Sequence, residues 1–273
     1  MRDGYLSETR IHKPSIPSGA KSPVIVFLYG GGFMVGDCRQ LSNFARVATK
    51  LFNATIVNLS YRLAPANPFP AGPYDVWDGL AWVAKNAHTL GGDTSVGFVL
   101  GGVSAGGNLA AVTAQKTVNG TGASAAPLTG LWLFIPVIAN EDAIPPREQN
   151  AEAPILNAAA FALMLTTYAP DTMSPDFSPF NSKAPHEGMP PTFLQVAGQD
   201  LLRDDGLVYE RALREHGVET RLEVYPGAPH GHIVFRNVRS SVKARVDLFK
   251  GLAWLLKVSV AEADIVKELD REF

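Results

Sequence analysis

Cysteine, long apolar runs and excess charge are all scarce in this chain of 273 residues. A single cysteine, Cys38, excludes an internal disulfide framework and a cluster of thiolate metal ligands. The 24 lysine and arginine residues nearly balance 26 aspartate and glutamate residues, which leaves a formal net charge of -2. Such a chain has no field that would gather nucleic acid or an anionic membrane. We therefore expect no nucleic-acid partner.

Signals for membranes and export are also lacking. The longest apolar run, residues 131–139, contains Pro136 and is far too short to span a bilayer. Residues 1–5 show no apolar segment of the kind that a secretory signal needs. We expect a cytoplasmic protein without stable membrane insertion.

Short apolar runs alternate with helical patterns along most of the chain. Because 46% of the residues are hydrophobic, a large core can form. Predicted strands cover residues 24–28, 55–59, 96–100, 131–135, 192–197 and 220–225, and predicted helices cover residues 41–51, 73–86, 105–117, 202–216 and 238–257. Ser259 and Glu262 have capping-box spacing before a last helix. The pattern predicts one α/β domain over residues 1–273, a mostly parallel sheet flanked by helices.

The alternation breaks between residues 140 and 189. Proline, alanine and acidic residues dominate there, and the helical run at residues 157–168 stands alone. An insertion this long inside a compact domain is usually functional, so we expect a cap or lid over a pocket. A surface excursion without a role is the alternative.

Residues 102–107, GVSAGG, follow an apolar run directly and precede a helical stretch. A serine between glycines on a sharp strand-to-helix turn is typical of a nucleophile elbow, where the glycines leave room around the serine backbone. The start of the following helix presents amide N–H groups to a developing oxyanion. The pattern makes Ser104 a candidate nucleophile, although a bare GxSxG also arises by chance.

A serine nucleophile needs a base from a loop that follows a later strand. Two histidines, His230 and His232, lie in the loop after the predicted strand at residues 220–225. Spacing does not separate them, and His230, the first after the turn, is the better candidate. His216 sits at the end of a helix, where it favourably complements the helix dipole.

The acid follows from the same order of nucleophile, acid and base. Asp200 lies in the exit loop of the predicted strand at residues 192–197, between the other two partners in sequence. It would fix the imidazole tautomer and stabilise the imidazolium, unless it is only a turn or cap residue. Asp204 and Asp205 fall in the first turn of the next helix and are interpreted as structural.

An oxyanion hole needs amide donors near the serine. Gly31 and Gly32 follow the first strong strand, and without Cβ atoms their N–H groups can approach a substrate oxygen. With the Ala105 N–H they would form the hole. An ordinary glycine-rich turn or a phosphate-binding loop is the alternative, but neither GxGxxG nor a Gly-Lys-Ser/Thr ending is present.

Taken together, these blocks resemble the hormone-sensitive-lipase-like branch of the α/β-hydrolases, the fold-3 carboxylesterases. The matching segments are residues 29–33 (YGGGF) for the HGGG element, 61–65 (YRLAP) with 69–71 (FPA), 102–107 for GDSAGG, 200–204 (DLLRD) for DPLRD, and His230-Gly231 for the HG pair. The resemblance implies an eight-stranded fold with a helical cap. It also implies no metal or organic cofactor, and hydrolysis of small to medium acyl esters through an acyl-enzyme.

The chain departs from the family pattern at several supporting positions. Tyr29 stands for the histidine of HGGG, Val103 for the acidic residue before the nucleophile, Ala66-Asn67 for a glutamate-histidine pair, and His232 for an aromatic residue. The changes at Tyr29 and Val103 remove polar partners around the oxyanion loop and the elbow. They motivate a second hypothesis, a repurposed cyclase, lyase or dehydratase on a specialised metabolite with His230 as base. A third is a non-catalytic module that binds a small ligand.

We expect the partner to be a small-molecule ester or a related apolar metabolite. The expected pocket walls are Phe33, Met34, Phe161, Leu165 and Tyr168. The segment at residues 1–20 is shorter than the N-terminal helical segment that normally forms part of the cap in this family. We therefore expect a reduced cap and a more open pocket. A homodimer is compatible with the sequence.

Overall fold

The computed structural model describes residues 1–14, 21–120, 126–138 and 147–273. The strands are β1 (Thr9–His12), β2 (Val24–Leu28), β3 (Thr55–Leu59), β4 (Phe98–Val103), β5 (Gly130–Phe134), β6 (Thr192–Ala197) and β7 (Thr220–Tyr225). The helices are α1 (Ser42–Phe52), α2 (Ala71–Leu90), α3 (Ala105–Val118), α4 (Ala158–Tyr168), α5 (Arg203–Glu215), α6 (Arg239–Leu255) and α7 (Glu262–Glu272). No helix in these ranges is both long and apolar enough to cross a bilayer.

All seven strands form one sheet, in the order β1-β3-β2-β4-β5-β6-β7. Only β1 pairs antiparallel, with β3, and the other neighbours are parallel. The predicted α/β class is confirmed. The described residues hold seven strands, however, not the eight that the resemblance implied.

Helices cover both faces of the sheet, and the central strands divide their side chains between two cores. Val24, Val26 and Leu28 of β2 face one core, to which α2, α3, α4 and α5 contribute. Ile25 and Phe27 face the other core, with α1, α6 and α7. Successive strand residues point to opposite faces, so a strand buried on both sides is apolar throughout. Each fully buried side chain of this kind contributes about 1.5–3 kcal/mol.

Several predicted boundaries were wrong, and the helix predicted at residues 73–86 is the longer α2, Ala71–Leu90. Two further differences have identifiable reasons. The strand predicted at residues 96–100 runs from Phe98 to Val103, because Gly101 and Gly102 pair with Trp132 and Leu133 of β5. The predicted capping box is absent, since α7 begins after Ala261 and no side chain caps it.

The carboxyl ends of the parallel strands meet at one edge of the sheet, beside part of the predicted insertion. Residues 140–146 of that insertion lie outside the described residues. The remainder contains α4 and two short 3-10 helices, Arg147–Asn150 and Pro179–Asn181. Asn157 caps α4 by accepting a hydrogen bond of 2.9 Å from the Ala160 N–H. Buried residues of α4 join the same core as α2 and α3.

Candidate active site

Ser104 occupies the turn between β4 and α3. Its backbone is strained, with φ 52° and ψ -117°, a conformation that residues with a side chain rarely adopt. The Ser104 N–H donates to the Phe134 carbonyl at 2.9 Å, and the Ser104 carbonyl accepts from the Asn108 N–H at 3.1 Å. Strand β5 and helix α3 thus hold the serine in this conformation.

Glycines let the strands approach the turn closely. A Cβ atom at Gly106 would lie 2.3 Å from the Tyr29 carbonyl oxygen, and one at Gly102 would lie 2.0 Å from the Gly106 oxygen. A Cβ atom at Gly30 would lie 3.3 Å from the Ser104 Cβ. The loop after β2 that contains Gly30, Gly31 and Gly32, called the glycine loop below, therefore passes directly beside the serine.

The exit loops of β6 and β7 bring an acid and a base to the same place. His230 Nε2 lies 3.0 Å from Ser104 Oγ, and His230 Nδ1 lies 2.7 Å from Asp200 Oδ2. The other carboxylate oxygen of Asp200 accepts a hydrogen bond of 3.0 Å from the Leu202 N–H. In this arrangement one ring nitrogen can take the serine proton while the carboxylate orients the ring.

His232, the other sequence candidate, makes no hydrogen bond to the serine among the described residues. It is buried between Phe134 and Tyr225, and neither of its ring nitrogens has a hydrogen-bond partner among the described residues. Burial lowers the pKa of His232 below its usual value. His232 thus packs as a neutral ring, and His230 faces Ser104.

The acidic residues at the start of α5 have other partners. Asp205 is buried and accepts a hydrogen bond of 2.9 Å from the Ile138 N–H, while Asp204 pairs with Arg203 at 2.9 Å. Asp205 therefore ties the start of α5 to the segment after β5, while Asp204 pairs with its neighbour in sequence.

The loop after β2 offers amide donors. Gly31 has φ +131° and Gly32 has φ +60°, in the region that favours glycine. The Gly31 carbonyl accepts hydrogen bonds of 3.1 Å from the Met34 and Val35 N–H groups, which closes the loop on itself. The N–H groups of Gly31, Gly32 and Ala105 have no acceptor within the part of the chain that the structure describes. All three can donate to a ligand.

Tyr29, at the position where the family has a histidine, is buried and packs against Tyr61. Its ring stacks on Tyr61 with the ring centroids 4.3 Å apart. Burial raises the pKa of Tyr29 to about 12, so the side chain stays neutral at ordinary pH. Tyr29 has no free polar group to offer a substrate.

The expected pocket residues divide into two groups. Phe33 and Tyr168 are fully buried and stack on each other, with ring centroids 4.0 Å apart, and Phe161 is buried as well. Met34 and Leu165 are half-buried. The rings of Phe33 and Tyr168 thus join the glycine loop to α4.

Sequence reasoning missed Met164, the residue of α4 that lies against the glycine loop. Its Cγ would be 3.3 Å from a Cβ atom at Gly32. Phe161, Met164 and Tyr168 share the buried face of α4, at positions i, i+3 and i+7. Apolar residues such as Leu163 also occupy the exposed side of this helix, so no periodic signal in the sequence distinguishes Met164.

No group of three or more histidine, cysteine, aspartate or glutamate side chains in the described ranges is placed to hold a metal ion.

Known proteins resemble this chain in both sequence and fold. Carboxylesterase NlhH of Mycobacterium tuberculosis is 38% identical over 222 residues, which cover 78% of this chain and 67% of the relative. The solved structure of vibralactone cyclase superposes with a TM-score of 0.85 at 32% identity and covers 93% of this chain and 78% of its own. A bacterial heroin esterase superposes with a TM-score of 0.82 at 28% identity and covers 92% of this chain and 80% of its own.

A family profile described as alpha/beta hydrolase fold matches residues 25–234. This range includes Ser104, Asp200, His230 and the glycine loop. This chain belongs to the alpha/beta hydrolase family, in its hormone-sensitive-lipase-like branch.

Proposed function

We propose that this protein is a serine carboxylesterase that hydrolyses small to medium acyl esters through an acyl-enzyme. The observation that carries the proposal is the position of His230, whose ring joins Ser104 Oγ at 3.0 Å and Asp200 at 2.7 Å. The similarity to a carboxylesterase and to a heroin esterase supports the same chemistry.

In the acylation step, Ser104 Oγ attacks the ester carbonyl carbon while its proton passes to His230 Nε2. The negative charge that develops on the carbonyl oxygen is stabilised by the N–H groups of Gly31, Gly32 and Ala105. The tetrahedral intermediate collapses, the bond to the alcohol oxygen breaks, and the leaving alcohol takes the proton from His230. Asp200 stabilises the imidazolium that forms in between.

Deacylation repeats these steps with water. His230 takes a proton from the water, whose oxygen attacks the acyl carbon, and the same amides stabilise the second oxyanion. Ser104 then leaves with the proton from His230, and the carboxylic acid is released.

We further propose that residues 140–189 form a cap on a single domain that spans residues 1–273. The contacts of α4 with the glycine loop support this, because Met164 lies beside Gly32 and Tyr168 stacks on Phe33. Met34 and Leu165 are the best placed of the expected wall residues, since both remain half-exposed. The cytoplasmic location and a homodimer stay predictions of the sequence.

Turnover of a short-chain aryl ester, together with labelling by a fluorophosphonate, tests the esterase proposal. Ser104→Ala and His230→Ala should each lower kcat/KM by about 10³-fold or more, and Ser104→Ala should abolish labelling. His216→Ala, an exposed histidine whose ring bonds the Ala212 carbonyl, is the matched control and should keep activity. Absence of both turnover and labelling in the wild type would contradict the proposal.

A second candidate is a repurposed enzyme of the cyclase, lyase or dehydratase type. The likeness to vibralactone cyclase favours it, as do the substitutions Tyr29 and Val103 near the elbow. Such an enzyme would use His230 as base without an acyl-enzyme. A Ser104→Ala variant that keeps its activity, beside an inactive His230→Ala variant, would identify this class. A non-catalytic binding module would leave all variants equally inactive while ligand binding persists.

A further inference from the structure

Gln40 binds the backbone of Gly30 with both ends of its side-chain amide. The Gly30 N–H donates to Gln40 Oε1 at 2.8 Å, and Gln40 Nε2 donates to the Gly30 carbonyl at 3.3 Å. The side chain reaches back ten residues along the chain to make this pair of bonds. A neutral amide is suited to it, because it carries a donor and an acceptor side by side.

The turn that carries Gln40 is itself fixed to the sheet. Cys38 is buried, and its carbonyl accepts a hydrogen bond of 3.1 Å from Asn58 Nδ2 on β3. The Gln40 N–H donates to the Asp37 carbonyl at 3.2 Å. Gln40 lies at the surface, but its backbone does not depend on its own side chain for its position.

The carbonyl that Gln40 binds belongs to the same peptide group as the Gly31 N–H. A trans peptide is planar, so its C=O and N–H point in opposite directions and turn together. Fixing the Gly30 carbonyl therefore fixes the direction of the Gly31 N–H. Because neither Gly30 nor Gly31 has a side chain to pack, hydrogen bonds to their backbone restrain this rotation.

We propose that Gln40 is a positioning residue that aims the Gly31 N–H at the oxyanion of the transition state. This rests on the proposed function, in which Gly31 is an oxyanion donor. The bond from Gln40 Nε2 also polarises the peptide group, which makes the Gly31 N–H a better donor. This positioning stabilises the transition state rather than the bound substrate, because negative charge develops on the substrate oxygen only in the transition state.

The test compares Gln40→Met with Arg39→Met on a short-chain aryl ester. Gln40→Met keeps the length of the side chain and loses both bonds. Arg39→Met alters the neighbouring residue of the same turn, whose side chain contacts Asp37 and Glu8 instead. Gln40→Met should lower kcat roughly 5- to 30-fold with KM within about twofold, which is less than the loss of a whole oxyanion donor. Arg39→Met should stay within about twofold of the wild type on both parameters.

A trifluoromethyl ketone separates positioning from a general structural role, because its adduct with a serine carries a tetrahedral oxyanion. Its inhibition constant should rise in Gln40→Met by about the factor by which kcat falls, while the melting temperature stays near that of Arg39→Met. Gln40→Glu keeps an acceptor for the Gly30 N–H but turns a carboxylate toward the Gly30 carbonyl. It should be as slow as Gln40→Met or slower.

A kcat of Gln40→Met within twofold of the wild type would overturn the inference. So would a loss of kcat that leaves the ketone's inhibition constant unchanged. If the wild type neither hydrolyses the ester nor reacts with a fluorophosphonate, the proposed function itself fails, and the two failures are thus distinguishable.

Discussion

Tyr29 and Tyr61 exchange hydrogen bonds between their hydroxyl groups and each other's backbone carbonyls. The Tyr29 hydroxyl donates to the Tyr61 carbonyl at 2.9 Å, and the Tyr61 hydroxyl donates to the Tyr29 carbonyl at 2.8 Å. Both side chains are buried. Since Tyr29 immediately precedes the glycine loop, this pair joins that loop to the segment after β3.

Removal of one of these hydroxyls should destabilise the protein. Tyr29→Phe leaves the buried Tyr61 carbonyl without its donor, so we expect the free energy of unfolding to fall by about 1–3 kcal/mol. The measurement is denaturation by urea. Tyr168→Phe is the matched control, because the buried Tyr168 hydroxyl has no hydrogen-bond partner among the described residues.

Loss of an unpaired buried hydroxyl should be neutral or stabilising, so Tyr168→Phe should not lower the unfolding midpoint. Equal losses in the two variants would show that the exchanged bonds contribute no specific stability.

The close approach of β2 to the start of α3 should make Gly106 intolerant of any side chain. In Gly106→Ala the new Cβ would lie 2.3 Å from the Tyr29 oxygen and 2.4 Å from the Leu28 oxygen, both backbone atoms that cannot move freely. We expect a loss of roughly 3 kcal/mol or more, or failure to fold. At Gly227 a Cβ atom meets nothing within 4 Å. Gly227→Ala should therefore stay within about 0.5 kcal/mol of the wild type, and similar midpoints for the two variants would contradict the packing.

His186 should make the protein sensitive to acid. The ring is buried beside Phe180, Tyr209 and His216, and neither of its nitrogens has a hydrogen-bond partner among the described residues. Burial, with a smaller contribution from the nearby His216, lowers the pKa of His186 to about 4. In the unfolded chain this histidine binds a proton more readily than in the folded protein. The free energy of unfolding is therefore highest above pH 6.5 and falls as the pH is lowered toward 4.

His186→Phe should remove this dependence. The unfolding free energies of the wild type and of His186→Phe should diverge between pH 6.5 and 4, by about 2–3 kcal/mol in total. His88→Gln, at an exposed position of α2, should keep the acid dependence of the wild type. Parallel curves for wild type and His186→Phe would show that another group governs the acid response.

The sequence predicts much of the site because its parts follow the ends of parallel strands. Ser104 directly follows β4, and Asp200 and His230 lie in the exit loops of β6 and β7. Such strand ends meet at one edge of an α/β sheet. The structure brings these three side chains together, while their catalytic roles stay predictions.

Contacts between distant segments could not be predicted in the same way. Strand β4 continues through Gly101 and Gly102 because both residues pair with β5, although glycine has a low strand propensity. The ring of Trp132 occupies the space that a side chain at Gly101 would need. Likewise, nothing in the spacing of Gln40 predicts its bonds to Gly30, since a surface glutamine has no periodic signal. Tertiary packing decides these features.

The proposal of an acyl-enzyme is tested most directly by mass spectrometry of the protein quenched during turnover of an aryl butyrate. We predict a butyryl group on the peptide that contains Ser104, formed with the burst of the aryl alcohol and absent from Ser104→Ala. Ester turnover without any acylated Ser104, or with the acyl group on another residue, would contradict the account.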